Sequence, residues 1–238
     1  MSPKVSIVIA MKNDGIYALR LLKALEKDKY KNLEIVLVDD GSKDNSADEI
    51  KEYVLSEKLK NVKLFREDSE GVETARNIGI DKSTGEYIIF LNPKDEIDAN
   101  FITALMLTVE NGEQALALTG IMEKLGTEKE RVLYSSLTAT KKPKETTRFY
   151  RERLFKKDKR LHFINNKLFN AKIIKDHDLK FEKVKKGAEE TSELKFIKKY
   201  IRVGEIETFI TINKPLLITQ KLERVSHRVV NRKRSLEA

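Results

Sequence analysis

The chain has 238 residues, a formal net charge of +9 and no cysteine. This length can bury one sizeable core, and the 40% apolar content is typical of an ordered protein. The lack of cysteine excludes disulfides and thiolate metal sites, and no apolar run reaches the roughly 18 residues of a membrane helix. No export signal is recognisable at the start of the chain, so a cytoplasmic location is expected.

The positive charge is concentrated in residues 141–186. This segment holds 17 basic and 6 acidic residues, a surplus of 11, which leaves the rest of the chain at −2. Such a basic segment attracts phosphate-rich partners, although ordinary solvated lysines are an alternative explanation. Nucleic-acid binding is not favoured, because aromatic platforms are sparse there, and Phe149, Tyr150, Phe155 and Phe163 fit a core better.

Apolar runs alternate with helical segments over the first hundred residues. The predicted strands cover residues 5–10, 33–38, 62–65 and 87–91, and the predicted helices cover 16–27, 46–59 and 73–81. Residues 44–46 supply capping groups for the second helix. This order predicts an α/β fold with a Rossmann-like, doubly wound, mainly parallel sheet, whose ligands lie beyond the carboxyl ends of the strands.

The pattern is looser after residue 100. Helices are predicted over residues 101–109, 147–155 and 191–200, short strands over 115–119, 132–134, 208–213 and 216–219, and a polar loop over 138–144. No internal repeat is found. Residues 231–238 are basic and polar, and we expect them to form a disordered tail.

Two adjacent carboxylates, Asp39 and Asp40, end the second predicted strand and precede a Gly41-Ser42 turn. At the carboxyl end of a parallel strand, such carboxylates suit the recognition of a base or a ribose. Side chains alternate along a strand, so the two carboxylates are expected to have separate roles. Turn and capping chemistry is the alternative for Asp40, Ser42 and Asp44.

The helix after the third strand carries an Arg-Asn pair. Arg76 offers a guanidinium to a diphosphate or to a neighbouring carboxylate. A structural role is favoured for Asn77, with a hydrogen bond to the turn after the first strand. That turn, residues 10–13, reads Ala-Met-Lys-Asn, so it is neither a dinucleotide fingerprint nor a phosphate-binding loop.

Four motifs, in this order and spacing, resemble the family 2 glycosyltransferases of the GT-A fold. They are residues 6–13, residues 38–44 (Val-Asp-Asp-Gly-Ser-Lys-Asp), residues 71–79 (ending Ala-Arg-Asn-Ile-Gly) and residues 85–91 (Gly-Glu-Tyr-Ile-Ile-Phe-Leu). The resemblance is strong over residues 4–105, with weaker similarity at 166–169, 187–190 and 224–226.

This resemblance implies a GT-A fold with a C-terminal acceptor-side extension. Within one domain, residues 1–105 would form the nucleotide-binding part and residues 106–230 the acceptor-side part. The reaction implied is transfer of a sugar from a nucleoside diphosphate donor, expected to carry UDP, to an acceptor hydroxyl.

The resemblance also implies roles for individual residues. Asp39 would contact the uracil, Asp40 the ribose or the metal neighbourhood, and Ala10 would line the base pocket. The implied donor-binding set is Ala10, Asn13, Asp39, Asp40, Arg76, Asn92, Lys94 and His227. Lys12 stands where the family has a tyrosine, so a stacking surface for the base is missing.

Acceptor activation needs a carboxylate near the acceptor hydroxyl. Glu189 and Glu190 stand where the family has a Glu-Asp pair, and they are the candidate catalytic bases. Carboxylates are also favoured in the first turn of a helix, which is the structural alternative for both.

The metal motif is where the chain departs most from the family. The Asp-x-Asp-Asp pattern falls on residues 92–95, Asn-Pro-Lys-Asp, so only Asp95 keeps a carboxylate. Magnesium or manganese is expected in the family, but these ions prefer anionic oxygens, and binding as in the family is not expected here. Either Lys94 neutralises the diphosphate without a metal or catalysis has been lost. A weak cation site at Asp95, Glu96 and Asp98 is a further alternative.

The leading hypothesis is a glycosyltransferase acting on a cell-envelope glycan or an anionic, phosphate-bearing polymer. The basic segment favours such an acceptor, or peripheral contact with the inner face of the membrane. The second hypothesis is a catalytically silent GT-A-like binding or assembly module, such as the N-terminal part of a larger teichoic acid or capsule polymerase. The substitutions at Asn92, Lys94 and Lys12 favour the module, and the intact Asp39-Asp40 motif favours the enzyme.

Overall fold

The structure is a computed structural model that describes residues 2–68, 70–109, 115–125, 129–133, 159–185, 188, 190–206 and 208–220. The strands are β1 Val5–Met11, β2 Leu33–Asp40, β3 Val62–Glu67, β4 Tyr87–Leu91, β5 Glu96–Ile97, β6 Ala115–Leu125, β7 Lys129–Leu133, β8 Lys167–Asn170 and β9 Thr208–Gln220. The helices are α1 Gly15–Lys27, α2 Ser46–Ser56, α3 Val72–Lys82, α4 Phe101–Met106, α5 Ala171–Asp176 and α6 Ser192–Val203.

The strands of the described residues form one sheet in the order β3-β2-β1-β4-β8-β6-β9-β5, with β7 paired to β6. The first four strands are parallel throughout. Strand β8 runs antiparallel to both β4 and β6, and β6 runs parallel to β9 over a long stretch. The predicted α/β fold with a mainly parallel sheet is therefore confirmed.

The central strands explain why the sequence reads as continuous apolar runs. Every residue of β1 and β2 is buried, as expected for parallel strands covered by helices on both faces. Alternate side chains supply two cores. Ile7 and Ile9 pack in the core with α1, α2 and α4, whereas Val8 and Ala10 pack in the core with α3, α5 and α6.

An aromatic cluster attaches the later elements to the first four strands. Phe90 of β4 lies 5.7 Å from Phe169 of β8 and 5.1 Å from Phe181, measured between ring centroids. Phe181 stacks on Phe196 of α6 at 4.2 Å, and Tyr200 meets Phe169 edge to face at 5.0 Å. The elements after residue 160 thus share a core with the parallel strands.

Several predicted elements differ in extent from the observed ones. The predicted strands over 208–213 and 216–219 are one strand, β9, whose register with β6 shifts around Gly120, opposite Pro215. A proline has no amide hydrogen for a strand ladder, so a bulge accommodates it. Strand β8 and helix α5 were not predicted. The loop at 138–144, the helix at 147–155 and the tail at 231–238 lie outside the described residues.

No helix in the described part of the chain combines the length and the apolar content that a bilayer crossing requires.

Candidate functional site

The loops after β1, β2 and β4 meet at the carboxyl ends of the parallel strands, called here the carboxyl edge of the sheet. Strand β1 lies between β2 and β4, and all three run parallel, so their carboxyl ends point to the same side. Such an edge is where open parallel α/β sheets bind ligands. It carries most of the residues that the sequence singles out.

Asp39 is fully buried at the end of β2. Its Oδ1 accepts hydrogen bonds from the backbone amide of Ser42, at 3.1 Å, and from the Ser42 hydroxyl. Its Oδ2 is shielded from solvent and accepts no hydrogen bond within the described residues, although Nε of Arg66 lies 3.5 Å away. A buried carboxylate oxygen that accepts no hydrogen bond is energetically costly.

Asp40 points to different partners. Its Oδ1 accepts from the backbone amides of Glu70, at 2.8 Å, and Gly71, at 2.9 Å, just before α3. Gly71 has a φ of 105°, a conformation that favours glycine, so this residue lets the loop turn toward the carboxylate. The other oxygen, Oδ2, lies 3.5 Å from Nζ of Lys12. Part of the role of Asp40 is therefore structural.

Asn13 joins the loops after β1 and β2. Its backbone N–H donates to the Ser42 hydroxyl at 2.8 Å, and its side-chain Oδ1 accepts from the backbone N–H of Lys43 at 2.8 Å. Ala10 lies in β1 and is 9% exposed. Just before α2, Asp44 accepts from the backbone amide of Ser46 at 3.0 Å, a turn contact, whereas the N-cap residue Asn45 makes no side-chain capping bond, so the predicted cap is not formed as expected. The burial of Asp39 is thus supported by a network spanning both loops.

Arg76 connects the loop after β4 to helix α6. It is 5% exposed, and it donates to Oε1 of Glu193 at 2.7 Å and to Oδ1 of Asn92 at 3.1 Å. The guanidinium also lies 5.3 Å from the centre of the Phe181 ring. Burial acts to raise the pKa of Glu193, but the charge and hydrogen bond of Arg76 outweigh it and hold this pKa below its usual value.

Asn77, the neighbour of Arg76, has a purely structural position. Its side chain donates to the carbonyl of Phe181 at 3.0 Å and accepts from the amide of the same residue at 2.8 Å. The favoured structural role agrees with this arrangement. The predicted bond to the turn after β1 is wrong, because both polar atoms of the Asn77 amide are engaged by Phe181.

Lys94 follows β4 and reaches toward the loop after β1. Its Nζ lies 3.1 Å from Oδ1 of Asp14 and 5.2 Å from the centre of the Tyr17 ring. The side chains of Lys94 and Asp14 are 37% and 21% exposed. This ion pair therefore spans the sheet edge between the loops of two adjacent strands.

Asp95 is buried and accepts hydrogen bonds from its own loop and from Asn165. Its Oδ2 accepts from the Asn92 amide at 2.8 Å, and both of its oxygens lie within 2.9 Å of Nδ2 of Asn165. Glu96 lies 3.5 Å from Arg20, and Asp98 accepts from the Asn100 amide. The described residues contain no group of three or more carboxylates or histidines placed to hold a metal ion. The alternative cation site at residues 95, 96 and 98 is therefore not assembled.

Of the two candidate bases, the structure describes Glu190, which lies just before α6. Glu190 forms an ion pair with Lys198 and is about one third exposed. Glu189 and His227 lie outside the described residues, as do residues 141–158 and 186 of the basic segment. Within the described part of that segment, Lys180 pairs with Asp81 of α3 and Lys183 with Glu70. The catalytic assignments of Glu189 and Glu190 stay predictions.

The four parallel strands, their polar carboxyl ends and the antiparallel strand β8 that joins them to β6 and β9 are those of a GT-A glycosyltransferase fold. Residues 6–176 match the family described as Glycosyl transferase family 2, so the chain belongs to that family. Among solved structures, Staphylococcus aureus TarS residues 1–349 in complex with UDP-GlcNAc aligns with a TM-score of 0.71 at 19% identity. That alignment covers 92% of this chain and 59% of TarS 1–349.

A second solved structure, the mannosyltransferase PcManGT of Pyrobaculum calidifontis with GDP-Man and Mn²⁺, aligns with a TM-score of 0.63 at 14% identity. It is covered to 59%, and this chain to 94%. At these identities, the two likenesses show the fold alone.

Similar sequences are also glycosyltransferases by name. The putative glycosyltransferase EpsH of Bacillus subtilis is 30% identical over 181 residues, which are 76% of this chain and 51% of EpsH. Glycosyltransferase GlyG of Streptococcus pneumoniae is 34% identical over 110 residues, which are 46% of this chain and 36% of GlyG. The chain thus matches between about a third and a half of the length of these relatives.

Proposed function

We propose that this protein transfers a sugar from a UDP-linked donor to a hydroxyl of an anionic, phosphate-bearing polymer of the cell envelope. The observation that carries the nucleotide part is Oδ2 of Asp39, which is buried and accepts no hydrogen bond within the described residues. A uracil ring has an N–H group that can donate a hydrogen bond to such an oxygen. The fold of TarS, solved with UDP and with UDP-GlcNAc, supports the same class of donor.

The reaction needs a base on the acceptor side. As the bond between the sugar carbon and the diphosphate oxygen breaks, its electron pair leaves with the UDP. The acceptor oxygen forms the new bond and gives its proton to a carboxylate. Glu189 and Glu190 are the proposed bases. Glu190 would have to exchange its Lys198 contact for the acceptor hydroxyl.

The acceptor class rests on charge. Residues 141–186 carry a surplus of 11 positive charges, which would draw a polyanion or the anionic inner face of a membrane to this side of the chain. Acceptor binding should then weaken strongly with added salt, because screening lengths fall from about 10 Å at 0.1 M to about 3 Å at 1 M. Acceptor binding that salt does not change would contradict this part of the proposal.

The test is calorimetric titration with uridine, UDP and GDP. UDP should bind the wild type more tightly than GDP, and Asp39→Asn should weaken both uridine and UDP about 10- to 100-fold, because hydrogen bonds to charged groups are worth about 1.5–3 kcal/mol. Asp48→Asn, on the exposed face of α2, is the matched control. A wild type that binds neither uridine nor UDP would refute the nucleotide site.

Turnover separates the two functional hypotheses. We expect release of UDP from a UDP-sugar to require an anionic acceptor and to fall in Glu189→Gln or Glu190→Gln. The relatives are named glycosyltransferases, and the comparisons do not favour the silent assembly module. UDP-sugar binding without turnover on any acceptor would favour that module instead.

A further inference from the structure

We infer that Lys94 holds the donor diphosphate in place of a divalent cation, and that Asp14 keeps the Lys94 ammonium at the site until the donor arrives. This inference rests on the proposed function, since it concerns the same nucleotide site. Lys94 would then neutralise the leaving UDP, and donor binding would need no metal.

The residues at the family's metal position do not fit a divalent cation. Oδ1 of Asn92 already accepts from the Arg76 guanidinium at 3.1 Å, so a cation bound there would lie beside a fixed positive charge. Both oxygens of Asp95 are engaged by Asn165 and by the Asn92 amide. Lys94 supplies an ammonium where magnesium or manganese needs an anionic oxygen.

The position of Lys94 suits a diphosphate. It stands in the loop after β4, and its partner Asp14 stands just after β1, so the ion pair lies at the edge where parallel sheets place phosphate groups. The pair is partly exposed, and such contacts exchange readily with solvent or ligand. A diphosphate carries more negative charge than one carboxylate, so it competes well for the ammonium.

A second ammonium lies at the same edge. Nζ of Lys12, in the loop after β1, is 3.5 Å from Oδ2 of Asp40, and its side chain is 41% exposed. Lys12 shares the loop after β1 with Asp14, the partner of Lys94. Each is paired with a carboxylate across a strand boundary, and each can turn toward an incoming anion. Together they offer two positive charges, as many as one divalent cation would.

Calorimetric titration in EDTA tests the inference. The wild type should bind UDP in EDTA, and adding MnCl₂ should change the affinity less than about threefold. Lys94→Ala should weaken UDP about 10- to 100-fold, the loss expected for one charge-assisted contact, and should leave uridine binding unchanged. Lys51→Ala, on the exposed surface of α2, removes the same charge elsewhere and is the matched control.

A pair of substitutions provides the reverse experiment. Asn92→Asp with Lys94→Asp recreates the family's acidic pattern, and UDP binding by this variant should require Mn²⁺. Lys94→Gln, which keeps most of the side-chain volume, serves as a second loss-of-charge variant, and thermal melting checks that each variant folds.

The outcomes separate the inference from the proposed function. Uridine and UDP binding that occurs only with Mn²⁺ would leave the nucleotide site standing and overturn the role of Lys94. UDP binding in EDTA that Lys94→Ala does not weaken would also overturn that role. A wild type that binds neither ligand under any condition would refute the nucleotide site and the inference with it.

Discussion

Arg76 is the residue through which the site is joined to the C-terminal helices. Replacing it with methionine would leave the Glu193 carboxylate and the side-chain Oδ1 of Asn92 without their shared donor. We expect the free energy of unfolding to fall by about 1–3 kcal/mol. Breaking a fully buried ion pair costs about 3–5 kcal/mol, and the loss is smaller here because the Glu193 side chain is 28% exposed. Urea denaturation measures the loss.

A double-mutant cycle isolates the Arg76–Glu193 contact. Adding Glu193→Gln to Arg76→Met should cost little further stability, because the carboxylate that needed the guanidinium is gone. Additive losses would show that the two side chains do not depend on each other. Asn92→Ala in the same background tests the second arm of the guanidinium.

The residues of the site were partly predictable. Asp39, Asp40 and Arg76 lie within short motifs whose spacing carries the signal, and the structure places all three at or beside the sheet edge. The contact of Arg76 with Glu193 was missed because 117 residues separate the partners along the chain. The pairing of Lys94 with Asp14 is similarly long-range, and nothing local in the sequence encodes it.

Among the elements, β1, β2 and the turn before β4 are joined by one buried carboxylate. Glu34 is 2% exposed and accepts from the Ser6 hydroxyl at 2.6 Å, the Thr84 hydroxyl at 2.9 Å and Nζ of Lys4 at 2.9 Å. Burial acts to raise the pKa of Glu34, but the hydrogen bonds from Ser6, Thr84 and Lys4 outweigh it and lower the pKa to about 2.

This depressed pKa predicts the pH dependence of stability. The folded-state pKa of Glu34 is below the unfolded value of about 4.3, so its contribution is complete above that pH and is lost as the pH falls toward 2. The free energy of unfolding of Glu34→Gln should be about 3 kcal/mol below wild type at pH 7, and the difference should shrink steadily below pH 4.5. A difference that persists undiminished to pH 2 would contradict this origin.

Helix α3 packs on β1 through a glycine. A Cβ atom at Gly79 would overlap with Cγ1 of Val8, a fully buried residue of β1. In Gly79→Ala, the steric overlap should cost about 1–3 kcal/mol of stability. The higher helix propensity of alanine should offset roughly 1 kcal/mol of that cost. Denaturant titration of Gly79→Ala, Val8→Ala and the double variant gives the coupling. We expect the loss of stability in the double variant to be smaller than the sum of the losses in the two single variants.

The elements that were predicted have a strong local pattern. The first four strands and three helices follow from continuous apolar runs and from helical spacing. Strand β8 and helix α5 have 4 and 6 residues, which is too short for either period to be visible. Strand β9 was divided in two because Pro215 interrupts it, and the bulge that accepts this proline depends on its partner β6.

At the scale of the whole molecule, the aromatic cluster leads us to expect that the two predicted parts unfold as one cooperative unit. Phe196 of α6 is 2% exposed and contacts rings from β4 and β8. Phe196→Ala should lower the free energy of unfolding by about 3–5 kcal/mol. Near-ultraviolet and far-ultraviolet circular dichroism should report the same single transition in wild type and variant. Two separated transitions would indicate that residues 1–105 and 106–230 unfold independently.

The sheet order determines how long β4 lacks one of its neighbouring strands while the chain is being synthesised. Strands β3-β2-β1-β4 and their connecting helices lie within the first 91 residues, whereas β4 gains its other neighbour only when residues 167–170 have been made. At about 5–20 residues per second, a ribosome takes roughly 4–16 s to cover that interval. During this interval β4 is an edge strand with unpaired backbone groups, to which another nascent chain can pair. Ribosome-bound chains stopped before residue 167 should therefore cross-link to one another more readily than chains stopped after residue 206.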